Sequence, residues 1–146
     1  MPSEKAPETL LAENIAGIIA GALLGTYRPE VSYGRDEHGI FIDQETPVLV
    51  DRYTMISPLT TTSEGRMGRL YRVQLAHRLT ATEQMPAIDV ARAHIHAVAQ
   101  LFDHREYKPA ILGISWAEEY SRTVFDPDTQ DRVTATQSIW FRGRRP

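Results

Sequence analysis

The hydrophobic and polar positions between Arg69 and Ala117 predict a strand, a helix and a second strand in close succession. The strand Arg69–Leu79 has apolar side chains every second residue on one face, which is the spacing of a half-buried strand; they are Tyr71, Val73, Leu75 and Leu79. From Pro86 to Phe102 the apolar residues return at helical spacing, and Ile111–Ala117 reads as the second strand. None of these elements can hide its apolar face alone, so we expect them to pack together.

The residues before this unit predict a helix, a hairpin, a strand and a long connection. The helix opens at Pro7 and ends at Gly25, because proline fits a first turn and glycine a helix end. A hairpin is predicted over Glu30–Asp43 and a strand over Pro47–Tyr53. Thr54–Gly68 is rich in turn formers and predicts a long loop or arm. Two interpretations of it stay open, an extended hairpin with a mobile tip and an arm that orders against a partner.

Gly17 and Gly21 share one face of the first helix and permit another backbone to approach closely. We favour the interpretation that they fit beneath the sheet over the alternative that they contact another subunit.

The end of the chain predicts an antiparallel hairpin. Ile111–Val124 and Arg132–Arg142 are strand-like, and the turn formers of Phe125–Asp131 lie between them. Residues 1–6 are predicted to be a polar, mobile start and residues 143–146 a basic tail. The expected fold is therefore α/β (α+β), a single domain over residues 1–146. In it one mixed β-sheet packs against two α-helices, with a long loop or hairpin arm before the Arg69–Leu79 strand.

Composition excludes several kinds of site. The 146 residues contain no cysteine, so disulfides and Cys-ligated metal sites are excluded. The net charge of −3 offers no general attraction to nucleic acid or to an anionic membrane. The apolar run Ile15–Leu24 is shorter than the ~20 residues of a membrane span and lacks the basic flank of a signal peptide. We therefore expect a protein that is made and kept in the cytosol, without a membrane partner.

The histidines form no catalytic or metal-binding motif. His94 and His96 are two residues apart on a helix, so they point to nearly opposite sides and cannot share a metal. His77 lies on the apolar face of its strand and is expected to be a hydrogen-bonded core or interface histidine. No nucleophile elbow, phosphate-binding loop or dinucleotide-binding motif occurs. The sequence therefore predicts no catalytic, cofactor-binding or metal-binding residue, no cofactor and no enzyme activity.

Arginine and aromatic residues mark the remaining candidate binding surface. Arg72 and Arg78 share a strand face, and Trp140 lies among Thr and Arg residues. Such a sheet can stack nucleic-acid bases, but the aromatic signature of an RNA-recognition motif is missing and the net charge is negative. We therefore predict no sequence-specific nucleic-acid partner.

The predicted elements follow one another over most of the chain as a helix, a few strands, a long loop, a strand, a helix and a closing hairpin. The clearest stretches of this order are Val48–Tyr53, the loop Thr60–Gly68 leading into Arg72–Arg78, the helix Val90–Phe102, the strand start Ile111–Ile114 and the turn Asp126–Arg132. This order resembles that of the tail-terminator and minor-tail (tail-completion) proteins of long-tailed bacteriophages. Residues 27–46 depart from the resemblance by being more elaborate.

The resemblance implies a structural virion protein that forms a ring, commonly a hexamer, caps the tail tube and joins it to the head. Its partners would be copies of itself, the tail tube protein and a head-completion or connector protein, in a tail assembled in the host cytoplasm. The interface residues would be Thr60, Thr61, Thr62, Glu64, Arg66, Arg69, Arg72, Arg78, Trp140 and Arg142. Two alternatives stay open. One is a head–tail connector or other neck component, and the other is a small enzyme or ligand-binding domain with a pocket lined by His77, His96 or Glu118.

Overall fold

A computed structural model shows two helices and one mixed β-sheet over the residues that it describes, which are 5–30, 32–44, 50–59, 61–64, 68–103, 105–107 and 111–144. The elements in chain order are α1 (Pro7–Gly21), β1 (His38–Ile42), β2 (Arg52–Pro58), β3 (Thr62–Glu64), β4 (Gly68–Thr80), α2 (Ala87–Phe102), β5 (Arg105–Glu106), β6 (Ile114–Val124) and β7 (Arg132–Arg144). The predicted α+β class is confirmed. Neither α1 nor α2 is long and apolar enough to cross a membrane.

The sheet has the strand order β1-β2-β4-β7-β6-β5, and β3 pairs with β4 outside this path. The pair β1–β2 is parallel and the other named pairs are antiparallel. All 13 residues of β4 are paired with β7, from Gly68 opposite Arg144 to Thr80 opposite Arg132. The strand that the sequence predicts at Arg69–Leu79 is therefore central to the sheet, and the predicted closing hairpin is confirmed as β6 and β7.

Both described helices pack on one face of the sheet. Alternate residues of β4 and β7 point to that face and are buried, namely Tyr71, Val73, Leu75, Leu79, Val133, Ala135, Ile139 and Phe141. The helices contribute the buried stripes Leu11, Ile15 and Ile19 of α1 and Ala91, Ile95, Val98 and Phe102 of α2. Burial of each large aliphatic or aromatic side chain contributes about 1.5–3 kcal/mol, which makes this layer the main source of stability.

The hairpin predicted over Glu30–Asp43 is wrong. β1 pairs in parallel with β2, and the residue that bridges the outer side of β1 is Thr26. Tyr33 folds back over the strand instead, where its ring lies 4.9 Å from that of Phe41 and its hydroxyl donates to the carbonyl of Ile40. The local turn formers indicate where the chain bends, but they carry no information about a partner strand that lies further along the chain. Residues 47–49 of the predicted strand Pro47–Tyr53 lie outside the described part.

The arm predicted at Thr54–Gly68 is wrong over its first part. Thr54–Pro58 belongs to β2 and pairs with β4, and Thr54, Met55 and Ile56 are buried. β3 then pairs with the start of β4, so the arm is reduced to a short hairpin whose residues 65–67 lie outside the described part. The Thr61 hydroxyl donates to a carboxylate oxygen of Glu8 at 2.7 Å, which holds the hairpin against α1. Pro58, the last residue of β2, marks only the break between β2 and β3.

The two ends differ from their predictions where they are described. Lys5 forms an ion pair with Glu13 at 2.7 Å, so this residue of the predicted mobile start is held against α1. β7 continues through Gly143 and Arg144, so half of the predicted basic tail is strand. Residues 1–4 and 145–146 lie outside the described part.

Gly17 and Gly21 do not fit beneath the sheet, contrary to the favoured interpretation. Both are exposed, and a Cβ atom built on either would meet nothing within 4 Å. The orientation of α1 about its own axis explains this. Its buried stripe passes through Leu11, Ile15 and Ile19, and the two glycines lie on the side away from that stripe.

Gly143 and Gly17 give a first prediction about stability. A Cβ at Gly143 would lie 2.8 Å from the Cα of Ile114 and 2.9 Å from the carbonyl atoms of Gly113, so neighbouring backbone would have to move. We expect Gly143→Ala to lower the free energy of unfolding by about 1–3 kcal/mol, the usual cost of overpacking. We expect Gly17→Ala to raise it by about 0.5–1 kcal/mol, because alanine favours an exposed helix interior. Urea unfolding measures both, and equal effects at the two sites would contradict the described packing.

Candidate interaction surface

The sheet face opposite the helices carries a group of arginine and aromatic side chains. Arg72 of β4 and Glu118 of β6 lie on either side of Trp140 in the β4–β7–β6 register. Tyr120 and Arg142 are the next residues on this face of β6 and β7. We call these five residues the arginine–tryptophan patch. No helix of the described residues covers it.

Trp140 is the centre of the patch. The ring of Tyr120 stacks on the indole with centroids 4.1 Å apart and planes 9° apart. The guanidinium carbons of Arg72 and Arg142 lie 5.3 Å and 5.9 Å from the indole centroid, within the range of cation–π attraction. These contacts hold the indole in one orientation, while Tyr120 remains 65% exposed. The patch is therefore ordered before anything binds to it.

The two arginines of the patch differ in their charge partners. Arg142 donates to the carboxylate of Glu118 within the patch. Arg72 has a buried Nε atom that finds no hydrogen-bond acceptor among the described residues. A buried donor without an acceptor costs about 1–3 kcal/mol. That Nε atom is shielded from solvent, but Arg72 as a whole is half-buried and forms no ion pair with a described residue, so the charge of its guanidinium remains available to a partner.

The structure brings together only some of the residues that the sequence predicts for an interface. Arg72, Trp140 and Arg142 meet in the patch. Arg69 lies at the same end of β4, opposite Gly143 of β7. Thr61 and Thr62 belong to the β3–β4 hairpin. Thr60, Arg66 and the side chain of Glu64 lie outside the described part.

The guanidinium of Arg78 makes its contacts within the protein. Its Nε and Nη2 atoms donate to the backbone carbonyls of Asp51 and Val50 at 2.9 Å and 2.7 Å, and its guanidinium carbon lies 4.8 Å from the Tyr53 ring centroid. Arg72 and Arg78 do share a sheet face, as the alternation predicts. Arg78 nevertheless fixes the segment before β2 and offers little to a partner.

Sequence reasoning missed Tyr120 and the role of Glu118. Residues 118–124 look polar and only weakly strand-like, so no apolar alternation points to them. The available signal was register: a strand opposite Arg132–Arg142 must place some of its side chains beside Trp140. An irregularity between Glu119 and Ser121 shifts that register, which no sequence pattern indicates.

A second polar group lies on the helix side of the sheet, beneath α2. The Thr54 hydroxyl lies 2.7 Å from Nε2 of His38 and 2.8 Å from Nδ1 of His77. The other nitrogen of His77, Nε2, lies 2.7 Å from the side-chain carbonyl of Gln137. The ring of His94 on α2 lies 4.7 Å from that of His38 and 4.8 Å from that of His77, centroid to centroid. We call these residues the histidine cluster.

The hydrogen-bond directions in the cluster follow from the orientation of the Gln137 side-chain amide. The Gln137 amide nitrogen donates to Glu119 and to the carbonyl of Ile95, so its oxygen is the acceptor that faces His77. Neutral His77 then donates from Nε2 and accepts at Nδ1 from the Thr54 hydroxyl. That hydroxyl oxygen is in turn free to accept from Nε2 of His38. The chain of bonds joins β6, β7, β4, β2 and β1 and so fixes their relative positions.

Burial keeps the three histidines of the cluster neutral. Desolvation lowers the pKa of His38 to about 3 and that of His94 to about 4. The pKa of the fully buried His77 falls well below its ordinary value, again mainly by desolvation. The prediction that His77 is a hydrogen-bonded core histidine is confirmed. His94 and His96 do diverge: His96 is exposed, whereas His94 meets His77 and His38 from other elements, a grouping that no spacing along the chain indicates.

Two clefts lie outside the patch. One of about 740 Å³ lies between the start of α1, the loop through Arg28 and Tyr33, and β1. The other, of about 430 Å³, is lined by His38, His94 and Arg52 among others. Neither is lined by His77, His96 or Glu118, the residues named for the ligand-binding alternative. Over the described ranges, no three His, Asp or Glu side chains are grouped as a metal site requires.

Comparison with known proteins gives a likeness of fold. No protein-family model matches the sequence, and no curated protein matches it. Among solved structures, the chain is similar to one from the virion of a native gene transfer agent (GTA) particle, with a TM-score of 0.55 and 11% sequence identity. The likeness covers 72% of this chain and 78% of that chain. At this identity it shows a shared fold.

Proposed function

We propose that this chain is a structural component of a phage-like virion, which acts through protein–protein contacts and catalyses no reaction. The observation that carries the proposal is the fold shared with a chain of a gene transfer agent virion over most of both lengths. The arginine–tryptophan patch supports it independently, because arginine and aromatic residues are enriched in protein interfaces and at their energetic centres.

Within the virion, we propose the role of a tail terminator. In this role copies of the chain form a ring, in the proposed arrangement a hexamer, that caps the tail tube and joins it to the head. The element order of the sequence supports this role. A ring repeats one head-to-tail contact until it closes, and many modest contacts made together hold firmly. The tail tube protein and a head-completion or connector protein would be its neighbours, in a tail assembled in the host cytoplasm.

Deletion of the gene in a cell that produces the particles tests the proposed function. Without a tail terminator, electron microscopy should show tails of irregular length and heads without tails, and the wild-type gene supplied in trans should restore complete particles. Tails of normal length that are detached from heads would instead support the connector alternative. Complete, infective or gene-transferring particles from the deletion strain would overturn the proposal.

Substitutions in the patch give a second prediction. Arg72→Ala and Trp140→Ala should each weaken an assembly contact by on the order of 30-fold, the effect of truncating an interface hot spot. Particle yield in the complemented deletion strain should fall accordingly. Arg92→Ala is the matched control, since Arg92 is an exposed arginine of α2 whose ion-pair partner among the described residues is Asp89 at 3.7 Å. If both patch variants keep their thermal stability and give an unchanged particle yield, the patch makes no assembly contact.

A further inference from the structure

The turn between β6 and β7 forms an exposed acidic tip. It contains Asp126, Asp128 and Asp131, and it begins with Phe125, whose side chain is 50% exposed. Asp128 is neutralised locally, because it pairs with Arg132 at 2.9 Å. Asp126 and Asp131 are exposed and have no side-chain partner among the described residues. We call Phe125, Asp126 and Asp131 the acidic tip.

Internal hydrogen bonds hold the tip in one conformation. The Asp128 carboxylate accepts from the backbone N–H groups of Gln130 and Arg132 at 2.8 Å and 2.9 Å. These bonds, that of Arg132 foremost, lower the pKa of Asp128, so the carboxylate that organises the turn stays ionised. The Phe125 N–H donates to the carbonyl of Thr134 at 2.9 Å and fixes the start of the turn. A preformed tip loses little entropy when it docks.

The acidic tip and the arginine–tryptophan patch are complementary. The tip offers unpaired carboxylates beside an exposed aromatic ring. The patch offers Arg72, whose charge is not paired with a described carboxylate, beside the stacked rings of Tyr120 and Trp140. Each surface therefore presents what the other lacks: a carboxylate faces an unpaired guanidinium, and apolar ring area faces an exposed phenyl ring.

The two surfaces cannot meet within one molecule. Trp140 and Arg132 are separated along one continuous strand, β7, which at about 3.3 Å per residue places Arg132 roughly 26 Å from Trp140. Tyr120, the patch residue nearest to the tip along β6, still lies roughly 16 Å from Phe125. A side chain reaches only a few ångströms, so the complementary partner of each surface must belong to another molecule. The tip and the patch also lie at separate places along the same hairpin, an arrangement that permits head-to-tail contacts.

We propose that the acidic tip of one copy docks on the arginine–tryptophan patch of the next copy of this chain. Asp126 accepts the hydrogen bond of Arg72, and Phe125 packs beside Tyr120 and Trp140. Because the two surfaces differ, the contact is heterologous and repeats from copy to copy until a ring closes. The inference rests on the proposed function only for the ring; the contact itself follows from the complementarity of the two surfaces.

Charge exchange between the two surfaces tests this contact in purified protein. Arg72→Glu and Asp126→Arg should each weaken self-association by on the order of tenfold or more, since each places like charges together. The double variant R72E/D126R restores an opposite pair and should recover most of the loss. Analytical ultracentrifugation over a concentration series measures the association, and Asp89→Arg on α2 is the control for a charge change elsewhere. Circular dichroism checks that each variant is folded.

The outcomes separate this inference from the proposed function. A wild-type protein that associates, but whose association is unchanged by either single substitution, would overturn the contact and leave the virion role intact. A wild-type protein that stays monomeric at millimolar concentration would also overturn it. Loss in the single variants with recovery in the double variant would support the contact even if the deletion strain assembled complete particles.

Discussion

Lowering the pH from 7 to 4.5 should reduce the free energy of unfolding by on the order of 5 kcal/mol, because the histidine cluster is buried in its neutral form. In the unfolded chain each histidine has a pKa of about 6.5 and takes up a proton below that pH. In the folded protein the pKa of His38 is about 3 and that of His94 is about 4, and burial lowers the pKa of His77 as well. The loss is comparable with the whole stability of an ordinary domain.

The sign and the pH window follow from these pKa values. Above about pH 6.5 the cluster is neutral in both states, so stability should not change with pH on its account. Between about pH 6.5 and 4 the unfolded state binds more protons than the folded state, and stability should fall as the pH falls. Below the folded pKa values the folded protein is protonated too, and the loss should level off.

Urea unfolding at several pH values measures this effect. Replacement of one member, as in His94→Leu, should remove about one third of the slope between pH 6.5 and 5, since one of three buried neutral histidines is gone. His96→Leu is the matched control, because His96 is exposed on the same helix and lies outside the cluster. A wild-type stability that is flat between pH 7 and 5 would show that the cluster is not held neutral.

Phe141→Ala should lower the free energy of unfolding by about 3–5 kcal/mol, the cost of deleting a large ring from a packed core. Phe141 is fully buried, and its ring centroid lies 5.8 Å from that of Phe102 and 5.1 Å from that of Tyr107, both edge to face. The substitution therefore leaves a cavity where β7, α2 and the segment after β5 meet. Edge-to-face aromatic pairs also contribute beyond their buried area.

Phe125→Ala is the control for this substitution. The same atoms are removed, but Phe125 is half-exposed at the hairpin tip, so we expect a change of less than about 1 kcal/mol. Chemical unfolding should be measured at concentrations where copies do not associate. Equal losses at the two positions would mean that Phe141 is not the centre of the core.

The elements that sequence patterns predict well are those whose burial is regular. β4, α2 and β7 show period-two or helical alternation over many residues, because each has one face on the core and one away from it. β2 is different: Tyr53, Thr54, Met55 and Ile56 are buried in succession, because Tyr53 and Met55 pack in a small cluster on the face opposite the helices. A strand that is buried on both faces shows no alternation of polar and apolar residues. The turn formers that follow β2 therefore led to the prediction of a loop.

The two polar groups show why sites are harder to predict than strands. The histidine cluster draws its side chains from β1, β2, β4, α2 and β7, and no spacing along the chain relates them. Only part of the arginine–tryptophan patch could be predicted from the sequence. Arg72 and Trp140 could be identified as members of alternating strands that face away from the core, whereas their contact with Tyr120 depends on the register of β6 and its irregularity.

The presence of the chain in virus-like particles tests the central proposal most directly. Particles purified by density gradient from a producing cell can be analysed by quantitative mass spectrometry against a labelled copy of this chain. If the chain is a structural component, it should sediment with intact particles in a fixed, small number of copies per particle, and should remain with them after a high-salt wash. A chain found only in the unsedimented fraction, while complete particles contain none of it, would contradict the account.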